Sequence, residues 1–226
     1  MAVGIIKKIF KNIHFLNHKT IYLNFKYLPI KQAIYLPLFV SYKVKLRKVK
    51  GEVIIKCSVK PGLIKLGLSE IGLYDKKHNR VVWENGGTIT FNGAAIFKYG
   101  SVLVVGPKGK LELGSNFRFS SGSVIVCYKS LKIGDNCRVS WDTQIIDSDF
   151  HRIFDKDGVH INPDKEIVIG ENCWIGNRST ISKGTLLGRD TVVASNSLVN
   201  RRFQASNVII GGIPAKIIRS GISWGE

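Results

Sequence analysis

The stretch "IGENCWIGNRSTISKGTLLGRDTVVASNSLVN", Ile169–Asn200, decides the fold. Aliphatic residues return at every sixth position: Ile169, Ile175, Ile181, Leu187, Val193 and Val199. Four places after each stands Cys173, Ser179, Thr185, Thr191, Ser197 and then Phe203. A small residue, Gly170, Gly176, Ser182, Gly188 or Ala194, follows most of the aliphatic ones. A helix repeats at about 3.6 residues and a strand at 2, so a sustained period of six is neither an amphipathic helix nor a hairpin. It fits short strands joined by tight corners, three to a coil, with coils stacked on one another. The expected class is all-β, a parallel β-helix. A β-sandwich would need this spacing to arise by coincidence.

The beat continues upstream through Ile145, Val139 and Ile133, then Ile125, Phe119 and Leu113 after a slip of two residues at Leu131–Lys132. Fainter coils run back through Thr88–Gly106 to Gly51–Gly67, with loops expected near Tyr74–Gly87 and Pro107–Lys110. The pattern breaks inside "IIDSDFHRIFDKDGVHINPDKEIVIG", Ile145–Gly170, where the same phase lands on His151, Asp157 and Pro163. None of these fills an apolar core, which marks a loop at about 152–165.

The 226 residues carry a formal charge of +18. The excess concentrates before residue 52, where eleven Lys/Arg meet no acid. Ile5, Ile6, Ile9, Phe10, Ile13 and Leu16 fall at helical spacing, with Lys7, Lys8 and Lys11 opposite. Ile21, Leu23 and Phe25 alternate as in a strand, and "PIKQAIYLP" reads as a short helix. The basic segment suits a cap over the open end of the β-helix, with contact at an anionic inner-membrane surface as a second reading. No motif accompanies the charge, so nucleic acid is not expected. Cys57, Cys127, Cys137 and Cys173 form no C-x-x-C pair, so neither a zinc knuckle nor a disulfide framework is indicated. With no long apolar run and no signal peptide, the expected location is cytoplasmic. The expected divisions are a basic segment at 1–50, a β-helix at 51–205 and a tail at 206–226.

Val168–Arg219, ending in "VIIGGIPAKIIR", resembles the C-terminal coils of the hexapeptide-repeat acyltransferases. "SWD" (Ser140–Asp142), "DSDFH" (Asp147–His151) and "ISW" (Ile222–Trp224) bring it nearest to bacterial capsule and lipopolysaccharide O-acetyltransferases. The galactoside and maltose acetyltransferases share the histidine loop and "WIG". The resemblance implies a left-handed β-helix, a homotrimer with sites between subunits, and acetyl-CoA as acyl donor. It implies His151 as general base, taking the proton of a glycan or lipid-linked sugar hydroxyl as its oxygen attacks the thioester carbon, with Asp149 or Asp142 orienting the imidazole and Asp147 a weaker third. Trp174, five residues after Ile169, has an outward phase that suits stacking on the acceptor, lining the thioester channel or packing in a trimer interface. Carried over residue by residue, the resemblance implies Asn177, Ser195, Asn200, Arg201 and Lys216 along the CoA path, with Arg202 beside them and 206–226 as the CoA-proximal tail. Asn200-Arg201 stands where the family commonly has Thr-Lys, Ile213 replaces a frequent Asn, and Cys127 stands where galactoside enzymes carry an acceptor-binding Asp. Galactoside and maltose acceptors are therefore not carried over. Three other functions share the scaffold: N-acetylation of an amino sugar, zinc chemistry of the three-histidine kind, and a non-enzymatic glycan-binding or structural module. After residue 130 only His151 and His160 are present, too few for that zinc set, and no metal is expected.

Overall fold

A computed structural model describes residues 16–69, 72–75 and 77–225. The expected amphipathic helix at Val3–Leu16 lies almost wholly outside the described residues. Beyond it, two short helices, α1 (His18–Tyr27) and α2 (Ile30–Ala33), precede strands β1 to β23. Every third strand joins the same sheet, so three sheets form the faces of a prism. Face 1 begins with β1 (Leu38–Val40), face 2 with β2 (Lys45–Val49) and face 3 with β3 (Glu52–Ile55). Pairing is parallel throughout, except where β22 (Val208–Gly212) meets β23 (Ala215–Ser220) antiparallel at the C-terminal end of face 1. This is a parallel β-helix.

The period of six has a direct physical reading. Ile169, Ile175, Ile181, Leu187, Val193 and Val199 are each at most 2% exposed, one per face in turn. Val199 pairs with Ile181 eighteen residues earlier, one full coil. Fully burying such a side chain contributes about 1.5–3 kcal/mol, so the stacked column supplies much of the driving force. Cys173, Ser179, Thr185, Thr191 and Ser197 are buried at the corners. Ser179 Oγ donates to Ala194 O at 3.0 Å and Thr185 Oγ1 to Val199 O at 3.0 Å, satisfying carbonyls that the turn leaves unpaired. The corners themselves need left-handed backbone. Between faces 1 and 2 that place passes through Gly100, Gly122, Asp142, Arg178 and Asn196, all with φ between 54° and 78°. Between faces 3 and 1 it is filled by Asn116, Asn136, Asn172, Asp190 and Asn207. Asn, Asp and Gly tolerate this region best.

Four expectations are corrected. The alternation at Ile21–Phe25 is helical: Asn17 Oδ1 caps α1 by accepting from Lys19 N and Thr20 N, and the buried face is Thr20, Leu23 and Asn24. Asn24 exchanges hydrogen bonds with Leu38 N and O at 3.1 and 2.8 Å, and Thr20 Oγ1 with Val40 N and O at 3.0 and 3.2 Å. These polar side chains occupy the edge of β1 that no further coil covers. The coils start at Leu38, not residue 51, and β22 lies within the segment assigned to the tail. β5 (Val82–Asn85) shortens the loop expected at Tyr74–Gly87. Last, the catalytic-loop candidate is wider than 152–165: the chain leaves face 2 after Asp147 and closes again where Lys165 N donates to Asp147 O at 3.3 Å. The expelled segment, 148–165, has the length of one coil.

Candidate functional site

His151 stands on the corner between faces 2 and 3, at the root of the expelled segment. β14 (Gln144–Ile146) delivers the chain to that corner. There the buried carboxylate of Asp147 accepts three backbone amides, from Tyr128 at 2.7 Å, Lys129 at 2.9 Å and Ser130 at 2.8 Å. Three donors on one carboxylate offset its desolvation and lock the exit. A three-residue turn follows, closed by His151 N donating to Asp149 O at 2.7 Å, with Phe150 at φ 61°. A bulky residue in that region costs about 1–3 kcal/mol and persists only where its surroundings enforce it. The Phe150 ring packs edge-on against Tyr128, centroids 5.2 Å apart. Strain and packing together aim the His151 side chain outward, where it lines a cavity of about 270 Å³ with Tyr128, Arg152, His160 and Asp164.

Asn162 and Lys183 hold the segment, and sequence reasoning found neither. Asn162 Nδ2 donates to Asp149 Oδ2 and to His151 O, both at 2.9 Å, while its Oδ1 accepts from Ile153 N at 2.6 Å. Lys183 Nζ reaches across from the next coil to Asp149 Oδ2 at 2.5 Å and Asn162 O at 2.7 Å. The Lys183 bond first, and Asn162 second, hold the Asp149 carboxyl below the usual carboxylate range. Asp149 is thus committed to Lys183 and Asn162; among the described residues, the imidazole of His151 makes no hydrogen bond to either expected aspartate.

Asp142 is elsewhere. It fills the left-handed place at the corner of faces 1 and 2, in step with Gly122 and Arg178, and accepts a hydrogen bond from the Tyr74 hydroxyl. Burial, then Asp142 itself, pushes the Tyr74 phenol up to about 12. Asn177 and Ser195 share that corner in consecutive coils, Ser195 Oγ donating to Asn177 Oδ1 at 2.6 Å. Trp174 on β16 (Trp174–Ile175) is 42% exposed, outward as its phase requires, with Nε1 donating to Ser140 Oγ at 3.0 Å. Its ring lies 6.0 Å from Trp224, and both line a cavity of about 330 Å³ on face 1. Asn200 and Arg201 return to the His151 corner, exposed, after β20 (Leu198–Val199). Lys216 is exposed on β23. Within one protomer, then, His151, Asp149, Asn200 and Arg201 share one corner, while Asp142, Asn177 and Ser195 lie across face 2 from them.

Comparison with known proteins bears on the repeat and the fold. Residues 166–201 match the family described as bacterial transferase hexapeptide (six repeats). The chain is 29% identical over 188 residues to an uncharacterized 24.8 kDa protein in the cps region of Klebsiella pneumoniae, covering 83% of this chain and 81% of that one. It is 31% identical over 118 residues to the polysialic acid O-acetyltransferase of Neisseria meningitidis, covering 51% of this chain and 55% of that one. Galactoside O-acetyltransferase of Escherichia coli is 29% identical over 126 residues, covering 54% and 56%. The chain thus spans little more than half the length of either named enzyme. Among solved structures, the polySia-specific acetyltransferase NeuO superposes with a TM-score of 0.64 at 24% identity, over 81% of this chain and 72% of that one. The likeness fixes the fold, a left-handed parallel β-helix.

Proposed function

From the hexapeptide repeat and the likeness to hexapeptide-repeat acetyltransferases we infer that this chain moves an acetyl group from acetyl-CoA to a hydroxyl of a bacterial surface polysaccharide or its precursor. The observation that carries the reading is His151, presented by a strained turn at the root of a coil-length segment that a carboxylate and a lysine clasp in place. Transfer is direct, in a ternary complex. The acceptor oxygen attacks the thioester carbonyl carbon as His151 takes the hydroxyl proton. The carbon–sulfur bond then breaks and the CoA sulfur leaves with a proton returned from the imidazolium. A neutral imidazole has an ordinary pKa of about 6.5, suited to this task near neutral pH, and a positioned base accelerates transfer by about 100- to 10,000-fold.

A homotrimer with sites between subunits is part of the proposal. Two sets of expected site residues occupy two corners of one prism, and a second copy brings the other set beside His151. The expelled segment offers the contact: Ile153, Phe154, Val159 and Ile161 are each more than half exposed. An apolar surface of this kind on a short hairpin fits burial against a partner. Asn177, Ser195, Arg201, Lys216 and Trp174 would line the CoA path, the basic pair favouring its phosphates. Acetyl-CoA places the enzyme in the cytoplasm. No helix of the described residues is long and apolar enough to cross a membrane; contact of the basic N-terminal segment with the membrane surface remains part of the proposal.

Isothermal titration with acetyl-CoA, followed by transfer of labelled acetyl to de-O-acetylated capsular and lipopolysaccharide glycans, tests the reading. Micromolar binding and label in the glycan are expected. No binding of acetyl-CoA or a longer acyl-CoA overturns it.

A further inference from the structure

A concavity of about 840 Å³ lies on face 3 beside the expelled segment, not on the C-terminal coils. Its floor is the outward row of three strands, β6 (Thr88–Phe91), β9 (Lys110–Leu113) and β12 (Ser130–Ile133). Register places Thr88 beside Lys110 and Lys110 beside Ser130, and sets Thr90, Glu112 and Lys132 in the next row. Neighbouring strands stand about 4.8 Å apart, so these side chains form a continuous ladder. Lys108 and Lys129 add two more cations from the corner turns.

The charge is not spent internally. Glu112 already accepts from Asn92 at 2.9 Å and pairs with Lys56 at 3.7 Å. Lys129 Nζ donates to a backbone carbonyl, Asp164 O, at 3.0 Å. Among the described residues Lys108, Lys110 and Lys132 lie in no ion pair, and the Asp164 carboxylate is the second acid on the rim. Counting Lys56, five ammonium groups face two carboxylates. Hydroxyls of Thr88, Thr90 and Ser130 and the ring of Tyr128 complete the lining, which is the chemistry that holds a sugar chain. Tyr128, Pro163 and Asp164 line both this groove and the His151 cavity, so the two are continuous.

We propose that the face-3 groove binds the acceptor as an extended acidic glycan, its carboxylates or phosphates on Lys108, Lys110, Lys129 and Lys132, and feeds one sugar to His151. This deepens the proposed acetyl transfer and rests on it. A neutral glycan would leave an excess of three positive charges uncompensated, whereas an acidic one finds the ammonium groups at strand spacing.

The probe is an oligogalacturonate of defined length, with a malto-oligosaccharide of equal length as the neutral control. Binding is titrated at two salt concentrations for the full chain, for Lys110→Glu/Lys132→Glu, and for Lys26→Glu/Lys31→Glu on the exposed helical surface. Preferred binding of the acidic oligomer, weakened by salt, is expected. The groove variant should lose roughly tenfold or more, since two ion contacts are replaced by repulsion. The surface variant should stay within twofold. Equal losses in both variants, equal affinity for the neutral oligomer, or dissociation of the assembly by the groove variant would overturn the proposal. Acetyl-CoA titration of the groove variant keeps the two questions apart. Unchanged affinity means a failed groove leaves acetyl transfer standing, whereas absent binding in wild type defeats the transfer reading and not the glycan site.

Discussion

Residues 148–165 and the coil that follows, Glu166–Lys183, have the same length and enter from the same phase, yet one leaves the prism and the other builds it. The coil places Ile169, Ile175 and Ile181 at its three inward positions, and all are buried. The expelled segment offers His151, Asp157 and Pro163 there. Burying a histidine and an aspartate without partners costs several kcal/mol, and proline removes a ladder donor. Because the segment is one coil long, β14 still pairs with β17 (Thr180–Ser182) in register, Ile145 beside Ile181, and the stack closes beneath it. A repeat protein can thus build a site by omitting the interior of one coil without disturbing the next.

Truncating one inward and one expelled aliphatic residue should separate the two segments most strongly. Ile181→Ala should cost about 2–5 kcal/mol in denaturant unfolding, because it opens a cavity in a packed column. Ile161→Ala, 55% exposed, should change the unfolding of a protomer by less than about 0.5 kcal/mol. Similar losses at both would mean the segment belongs to the core. Asp147→Ala comes next. It removes the acceptor of three amides and should cost about 1–3 kcal/mol, with hydrogen exchange rising first at Tyr128–Ser130.

The clasp gives a pH-dependent effect. The Asp149 carboxyl titrates lower in the folded protein than in the unfolded chain. Its contribution is therefore complete above the ordinary carboxylate value of about 3.9 and is lost as pH falls through the lower folded value. Amide exchange at Ile153 and Ile161, corrected for its intrinsic rate, should accelerate only in that acid window. Lys183→Met should produce severalfold faster exchange already at neutral pH; exchange independent of both would remove Lys183 from the clasp. The smallest effect is expected at Asp142→Gly. Glycine satisfies the left-handed backbone but gives up the Tyr74 hydrogen bond, so stability should move by less than about 1 kcal/mol in denaturant unfolding, and a loss of several kcal/mol would mean that the Tyr74 contact holds the corner together.

These contrasts also explain how much was legible in sequence. Ile169 to Val199 announce the coils because burial repeats with the chain's own geometry, and His151 stands out because it violates that repeat. The helical cap was misread because Ile21 and Phe25, which carry the apparent alternation, are about half exposed, whereas the helix packs through Thr20 and Asn24. Asn162 and Lys183 gave no signal, since their task arises from contacts 13 and 34 residues distant from Asp149. Asp142 shows the opposite limit. An acid near a histidine in sequence suggests an orienting pair, but within one protomer face 2 turns the two onto different edges of the prism, so only a second copy can bring an Asp142 beside His151.

The proposed role of the expelled segment is to present His151 as the base for acetyl transfer. Acetyl-CoA affinity and turnover, measured together on wild type and His151→Ala, decide whether it does. Unchanged affinity and turnover lower by about 100- to 10,000-fold are expected. Turnover within a few-fold of wild type would contradict that role.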